Sequence, residues 1–213
     1  DILYINIGSG LTVAHMASLT HGSDTVIYCF GIATEKQHNQ IISNLEKLGC
    51  RSRVKLFHED FLEVEPHDDR LKHVKVVLVV AACSRSGVAN PVNFIVSEGE
   101  DITILRDLSL GYTDEGKLGE MVVRHNSILK HTLKFPRVQA VVYCTRSLLE
   151  AENENVVTRS IAYNNMIQQK KTPFRIAPPV LPLSDRDIET ENPLNGKYLR
   201  YPPSPFMSGC FVA

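Results

Sequence analysis

The sequence predicts an α/β domain with a mostly parallel sheet and helices on both of its faces. Segments rich in β-branched and aromatic residues alternate with segments of helical apolar spacing, the order that builds a parallel sheet. In residues 74–83 only Lys75 is polar, which is typical of a strand buried on both faces. The 213 residues, 43% of them hydrophobic, suffice for one large core.

Each predicted strand is followed by turn residues or by a helix. The predicted strands are 2–7, 25–30, 54–57, 74–83, 138–144 and 211–213, with 174–177 as a further candidate. Gly8-Ser9-Gly10 forms a turn that leads into a helix over 11–19. This order lets the backbone approach a nucleotide, but glycines in a tight turn need no ligand to explain them. Capping boxes at Thr34/Gln37 and Ser147/Glu150 begin two more helices, and 118–133 forms another. Residues 84–115 read as a long irregular insertion.

Composition narrows the function classes. A net charge of −1 gives no overall basic field for nucleic acid. Five cysteines without a CxxC pair favour free thiols in a reducing compartment, nuclear or cytoplasmic. The scattered histidines predict no metal site, and the longest apolar run is too short to span a membrane. Because the chain opens directly on a strand, we interpret residues 1–213 as a single domain of a longer protein.

Three segments resemble motifs of one enzyme family. Residues 78–87, LVVAACSRSG, are similar to LLDPSCSGSG, and residues 3–12, LYINIGSGLT, to DxCAAPGxKT. Residues 134–157 contain VVYCTRSLLEAENE, where the family text is close to VVYSTCSL followed by an ENE cluster. These motifs identify the chain as a divergent member of the Sun-domain RNA cytosine-5 methyltransferases. The resemblance implies a Rossmann-like class I methyltransferase fold, S-adenosylmethionine as cofactor and RNA cytosine as substrate.

The family reaction uses two thiols, one that attacks cytosine C6 and one that assists release. Matched by motif, Cys83 takes the place of the releasing cysteine, and Arg146 takes the place of the nucleophile. Arginine stays protonated and cannot attack. Cys144 lies about 6–7 Å further back along the strand, whereas reaction needs about 3–3.5 Å, so we interpret it as a structural residue. Arg146 is either a replacement without a function or a cation that holds an RNA phosphate or lowers the pKa of Cys83. Cys83 is itself either a working thiol or a small buried residue.

The resemblance also implies cofactor-pocket positions, several of which have changed. Gly31 replaces the acidic residue that grips the ribose, Val80 replaces an aspartate that holds the cytosine edge, and Leu11 replaces a lysine. Asp60 is retained beside the adenine position or serves as a turn cap, and the turn at residues 8–10 still permits close backbone approach. The implied positions are Gly8, Ser9, Gly10, Gly31, Asp60 and Val80.

Two functions follow as hypotheses. In the first, the domain binds S-adenosylmethionine weakly or not at all, has lost turnover and acts as an RNA- or protein-binding module. In the second, it is an active RNA methyltransferase that uses Cys83 and a non-standard mechanism or a partner. An NAD-type domain is disfavoured because the turn lacks GxGxxG spacing and the acidic ribose partner.

Overall fold

A single seven-stranded sheet organises the part of the chain that the computed structural model describes, residues 1–98, 105, 115–169, 172–178, 197–205 and 207–213. The strand order is β3-β2-β1-β4-β5-β7-β6. The first five strands run parallel, and β7 and β6 are antiparallel additions at one edge. The strands are β1 Ile2–Ile5, β2 Ile27–Phe30, β3 Val54–Leu56, β4 Val76–Val80, β5 Ala140–Thr145, β6 Leu199–Tyr201 and β7 Cys210–Val212.

Helices cover both faces, which confirms the predicted Rossmann-like class. Alternate strand residues point to opposite faces, so Tyr4 and Cys29 pack with the first two helices while Leu3 and Val79 pack with the last two. Among the described residues, no helix is long and apolar enough to cross a bilayer. The helices are α1 Leu11–Leu19, α2 Glu35–Lys47, α3 Pro91–Glu98, α4 Glu115–Thr132 and α5 Glu154–Gln168.

The sheet topology fixes where a ligand can bind. β1 pairs with β2 on one side and with β4 on the other, so the chain builds outward from β1 to β3 and then crosses back from β3 to β4, where the strand order reverses. In open parallel sheets the crevice at this reversal, beyond the carboxyl ends of the strands, is the usual binding site. The glycine turn, Gly31 and Cys83 all follow strand ends at this edge of the sheet.

Several predicted element boundaries differ from the structure, and the central strand β4 spans Val76–Val80 rather than 74–83. β1 stops at Ile5, since Asn6 has a left-handed backbone with φ 69°. The capping box at Thr34 is confirmed, with Gln37 N–H donating to Thr34 Oγ1 at 3.1 Å. The box at Ser147 is wrong, because α5 begins only at Glu154.

Three further segments were predicted incorrectly. Part of the supposed irregular insertion is helix α3, whose first turn is capped by Asn90 through a 3.0 Å bond from Asn93 N–H; residues 99–104 and 106–114 lie outside the described residues. Residues 174–177 form no strand, because the Asn165 side chain bonds both the N–H and the C=O of Phe174. Strand β6 was missed, since it is only three residues long.

Candidate active site

A cavity of about 330 Å³ lies at the reversal point of the sheet. Its walls come from the ends of β1, β2 and β4, from the segment after β3, and from α4. Three of the residues matched to the family's pocket line it, namely Gly31, Asp60 and Val80. The cavity therefore has the position and the residue origins expected of a nucleoside-binding crevice.

The backbone at Gly31 leaves no room for the side chain that the family carries there. Gly31 has φ +95°, and a Cβ atom built on it would lie 2.7 Å from Asn6 Cα. Asn6 is itself fixed, because its Nδ2 donates to Val80 O at 2.8 Å and its N–H donates to Phe30 O at 2.9 Å. A side chain at position 31 would therefore require Asn6 and the end of β1 to move.

Asp60 caps a turn and also lines the cavity. Its Oδ1 accepts from Leu62 N–H at 3.0 Å, which caps a short 3-10 helix, and both oxygens accept from Arg124 Nη2 at 2.7 to 2.8 Å. Burial raises the pKa of Asp60, but the Leu62 N–H and the Arg124 guanidinium outweigh it, so the net pKa lies below the ordinary value. The group is a carboxylate at neutral pH, and it faces the cavity.

The glycine turn lies outside the residues that line the cavity. Gly10 is the N-cap of α1, with φ 84°. The turn is tied to α2, because Gly8 O accepts from Gln37 Nε2 at 3.1 Å and Ser9 O accepts from Asn44 Nδ2 at 3.3 Å. The Gln37 side chain therefore links the start of α2, where its Oε1 accepts from Ala33 N–H at 2.8 Å, to the glycine turn, which the sequence did not indicate.

Cys83 and Arg146 are brought together, but through the backbone of Arg146. Arg146 N–H donates to Cys83 Sγ at 3.2 Å, and Arg146 O accepts from Gly87 N–H at 2.9 Å. Burial raises the pKa of the Cys83 thiol, and the Glu152 carboxylate adds to this, while the N–H groups of Arg85 and Arg146 and the charge of Arg85 oppose it. The net pKa lies above the ordinary cysteine value.

The guanidinium of Arg146 acts on two other thiols. Its charge lowers the pKa of Cys144 and of Cys210, whose burial raises both. For Cys144, burial and the neighbouring Cys210 dominate and raise the pKa to about 12. A thiol with that pKa is almost wholly protonated at neutral pH, which argues against Cys144 as a replacement nucleophile.

A partly buried hydroxyl cluster, consisting of Ser84, Ser86 and Ser147, lies at the loop after Cys83. Each pair of hydroxyl oxygens lies 3.2 to 3.3 Å apart. Glu152, which is fully buried, accepts from Ser84 N–H at 2.9 Å and from Ser84 Oγ at 2.5 Å. Ser147 is therefore used in this cluster rather than in a helix cap, and Glu152 was missed because only the fold brings it to Ser84.

Among the described residues, no group of three or more His, Cys, Asp or Glu side chains is arranged to hold an ion. The polar groups that line the cavity are two carboxylates, two imidazoles, one amide and one guanidinium, from Glu59, Asp60, His58, His125, Asn6 and Arg124. Such a set is suited to holding a nucleoside and a second polar substrate.

Comparison with known proteins gives matches over the whole chain. The NSUN7 protein of Mus musculus is 40% identical over 214 residues, with 100% of this chain and 29% of that protein covered. The NSUN7 protein of Homo sapiens is 37% identical over the same span. The 25S rRNA (cytosine-C(5))-methyltransferase NSUN5 of Arabidopsis thaliana is 28% identical over 167 residues, which is 78% of this chain and 28% of that protein. The chain thus spans less than a third of the length of these curated relatives.

A solved structure shares the fold. The protein named PH0851 superimposes with a TM-score of 0.68 at 20% identity, covering 100% of this chain and 42% of the other. No protein-family model matches the chain.

The contact between Gly31 and Asn6 predicts a position-specific cost of substitution. Gly31→Ala should destabilise the protein more than Gly22→Ala, because both glycines have a left-handed backbone but a Cβ at Gly22 meets nothing within 4 Å. The control should lose about 1–2 kcal/mol from backbone strain, and Gly31→Ala about 1–3 kcal/mol more from overpacking. Urea unfolding measures both, and equal losses would contradict the packing described here.

The raised pKa of Cys83 predicts the pH dependence of its alkylation. The reactive form is the thiolate, so the rate with iodoacetamide should still rise about tenfold per pH unit at pH 8, below the pKa. Peptide mass spectrometry of timed samples, with Cys83→Ser to assign the adduct, gives the profile. A plateau beginning below about pH 8 would mean that the N–H donors outweigh burial.

Proposed function

The chain belongs to the Sun-domain family of RNA cytosine-5 methyltransferases, and from this premise we propose that it is a degenerate methyltransferase domain that binds RNA or protein with little or no turnover. The observation that carries the proposal is the residue at the nucleophile position. Arg146 stands there, and its backbone, rather than a thiol, contacts Cys83 at 3.2 Å. A guanidinium cannot add to cytosine C6.

The neighbouring thiols do not take over this role at neutral pH. Burial raises the pKa of Cys144 to about 12 and places that of Cys83 above the ordinary value. Covalent catalysis needs an activated thiolate within about 3.5 Å of the carbon that it attacks. Without such a group, C5 of the cytosine is not activated and cannot accept the methyl group that S-adenosylmethionine would supply when bound.

The cofactor pocket fits the nucleoside end of S-adenosylmethionine only in part. The cavity, the Asp60 carboxylate and the Asn6 side chain are suited to it, whereas Gly31 offers no group to the ribose. Losing a charged hydrogen-bond partner costs about 1.5–3 kcal/mol, or about one to two decades in affinity. We therefore expect weak cofactor binding.

RNA remains the best-supported macromolecular partner. NSUN5 of Arabidopsis thaliana is named as an rRNA methyltransferase. Arg85 lies in the same loop as Cys83, and Arg146, whose N–H contacts the Cys83 sulfur, follows β5. Arginine recognises phosphate well. Protein partners are a further part of the proposal, since the relatives extend far beyond the matched region.

One observation favours an alternative in which the domain is active through Cys83. The Cys83 sulfur accepts N–H groups from both Arg85 and Arg146, and the charge of Arg85 also favours its thiolate. If RNA binding changed the burial of the loop, these groups would activate the thiol. The alternative therefore requires methylation that depends on Cys83.

Calorimetric titration with S-adenosylmethionine tests the pocket. We expect a Kd of about 1 μM or weaker, since one to two decades are lost with the ribose contact. Asp60→Asn should weaken binding further. Asp69→Asn is the control and should not weaken it, because the Asp69 side chain is 95% exposed and does not line the cavity. Sub-micromolar binding by the wild type would overturn the proposed weak pocket, and equal effects of the two variants would contradict the role proposed for Asp60.

A methylation assay with the full-length protein tests turnover. Wild type should transfer no label from S-adenosylmethionine to RNA, and Arg146→Cys, which restores the family thiol on an unchanged backbone, should form a covalent RNA complex or methylate. Wild-type methylation that disappears in Cys83→Ser would support the alternative function. Wild-type methylation that survives Cys83→Ser would contradict both.

A further inference from the structure

His125 on α4 has two buried partners that connect the cavity to the loop of Cys83. The residue is 1% exposed, and it lines the cavity. Its Nε2 lies 2.8 Å from Ala82 O, and its Nδ1 lies 3.0 Å from the hydroxyl of Tyr143. A carbonyl oxygen can only accept, so Nε2 carries a proton and donates to it.

Tyr143 extends this contact to the other side of Cys83. Its hydroxyl lies 2.7 Å from Glu152 O, a carbonyl that can accept its proton, and the Glu152 carboxylate accepts from both the N–H and the Oγ of Ser84. Ala82 and Ser84 flank Cys83 in the sequence. One connected network, His125–Tyr143–Glu152, therefore holds the residues on both sides of the thiol.

His125 and Tyr143, at the centre of the network, are buried and uncharged. Burial lowers the pKa of His125 and raises that of Tyr143, so both side chains are neutral at pH 7. Neutral His125 with its proton on Nε2 leaves Nδ1 as an acceptor, so the single Tyr143 hydroxyl proton faces two acceptors, Nδ1 and Glu152 O. Each buried partner left without a hydrogen bond costs about 1–3 kcal/mol.

We propose that His125 is a positioning residue for Cys83: it anchors the Ala82 carbonyl and, through Tyr143 and Glu152, keeps the Cys83 sulfur against the Arg146 N–H. The inference concerns only where the Cys83 thiol is held. It rests on the proposed function only for what that thiol does in the protein. Its test therefore needs neither S-adenosylmethionine nor RNA, and its failure is distinguishable from a failure of the proposed function.

The test is the alkylation rate of Cys83 relative to Cys50 in the same molecule. Both residues are 7% exposed, but Cys50 lies on the opposite side of the sheet, in the cluster packed by α1 and α2. Local release of the loop raises the rate at Cys83 alone, whereas general loosening of the fold raises both. Peptide mass spectrometry after timed iodoacetamide treatment of the full-length protein resolves the two thiols.

His125→Leu should raise the Cys83 to Cys50 rate ratio about tenfold, the effect of losing about 1.4 kcal/mol of local closure. His125→Gln should stay within about threefold of wild type, because its amide can donate to Ala82 O and accept from Tyr143. Tyr143→Phe, which keeps the ring and removes the hydroxyl, should also raise the ratio and serves if His125→Leu does not fold.

Three outcomes would overturn the proposal. An unchanged ratio in His125→Leu and Tyr143→Phe would mean that the loop is held without the network. Equal increases at Cys83 and Cys50 would mean that His125 only supports the core. A ratio for His125→Gln as high as that for His125→Leu would mean that hydrogen bonding at position 125 does not position the thiol.

Discussion

The backbone of Arg146 holds the loop after β4 from two directions, and the geometry of the site depends on this contact. Its N–H donates to Cys83 Sγ, and its C=O accepts from Gly87 N–H. Gly87 fits there because a Cβ would lie 3.0 Å from Arg146 O and 2.9 Å from Gly209 O. Both bonds use main-chain atoms, so they do not depend directly on which side chain stands at position 146. This is what allows the proposed function to combine a retained fold with an arginine at that position.

The two ends of the site are fixed in different ways. Around Cys83, backbone hydrogen bonds, the serine hydroxyls and Glu152 hold the loop. Beside the cavity, the backbone at Gly31 packs against Asn6, so a side chain there would require β1 to move. Under the proposed function, a cysteine at position 146 would therefore be easier to accommodate than a carboxylate at position 31.

Periodicity was sufficient for the fold, because the alternation of buried strands and amphipathic helices is encoded locally. The boundary errors have a shared cause: the polar residues concerned make contacts across the fold. Ser147 looks like a helix cap in sequence, yet its hydroxyl meets Ser84 and Ser86. Asn6 and His125 could not be identified as site residues from the sequence, because their partners Val80 and Ala82 are distant in the chain. Asn90-Pro91 was a usable helix-start signal that was overlooked.

The most direct test of the central claim is covalent trapping on RNA that contains 5-azacytidine, read by mass spectrometry of the full-length protein. A family enzyme with a working thiol is held on such a base after attack at C6. If Arg146 leaves the site without a nucleophile, the wild-type protein will show no adduct. A stable wild-type adduct that disappears in Cys83→Ser would contradict this account, since it would show that the remaining thiol attacks RNA.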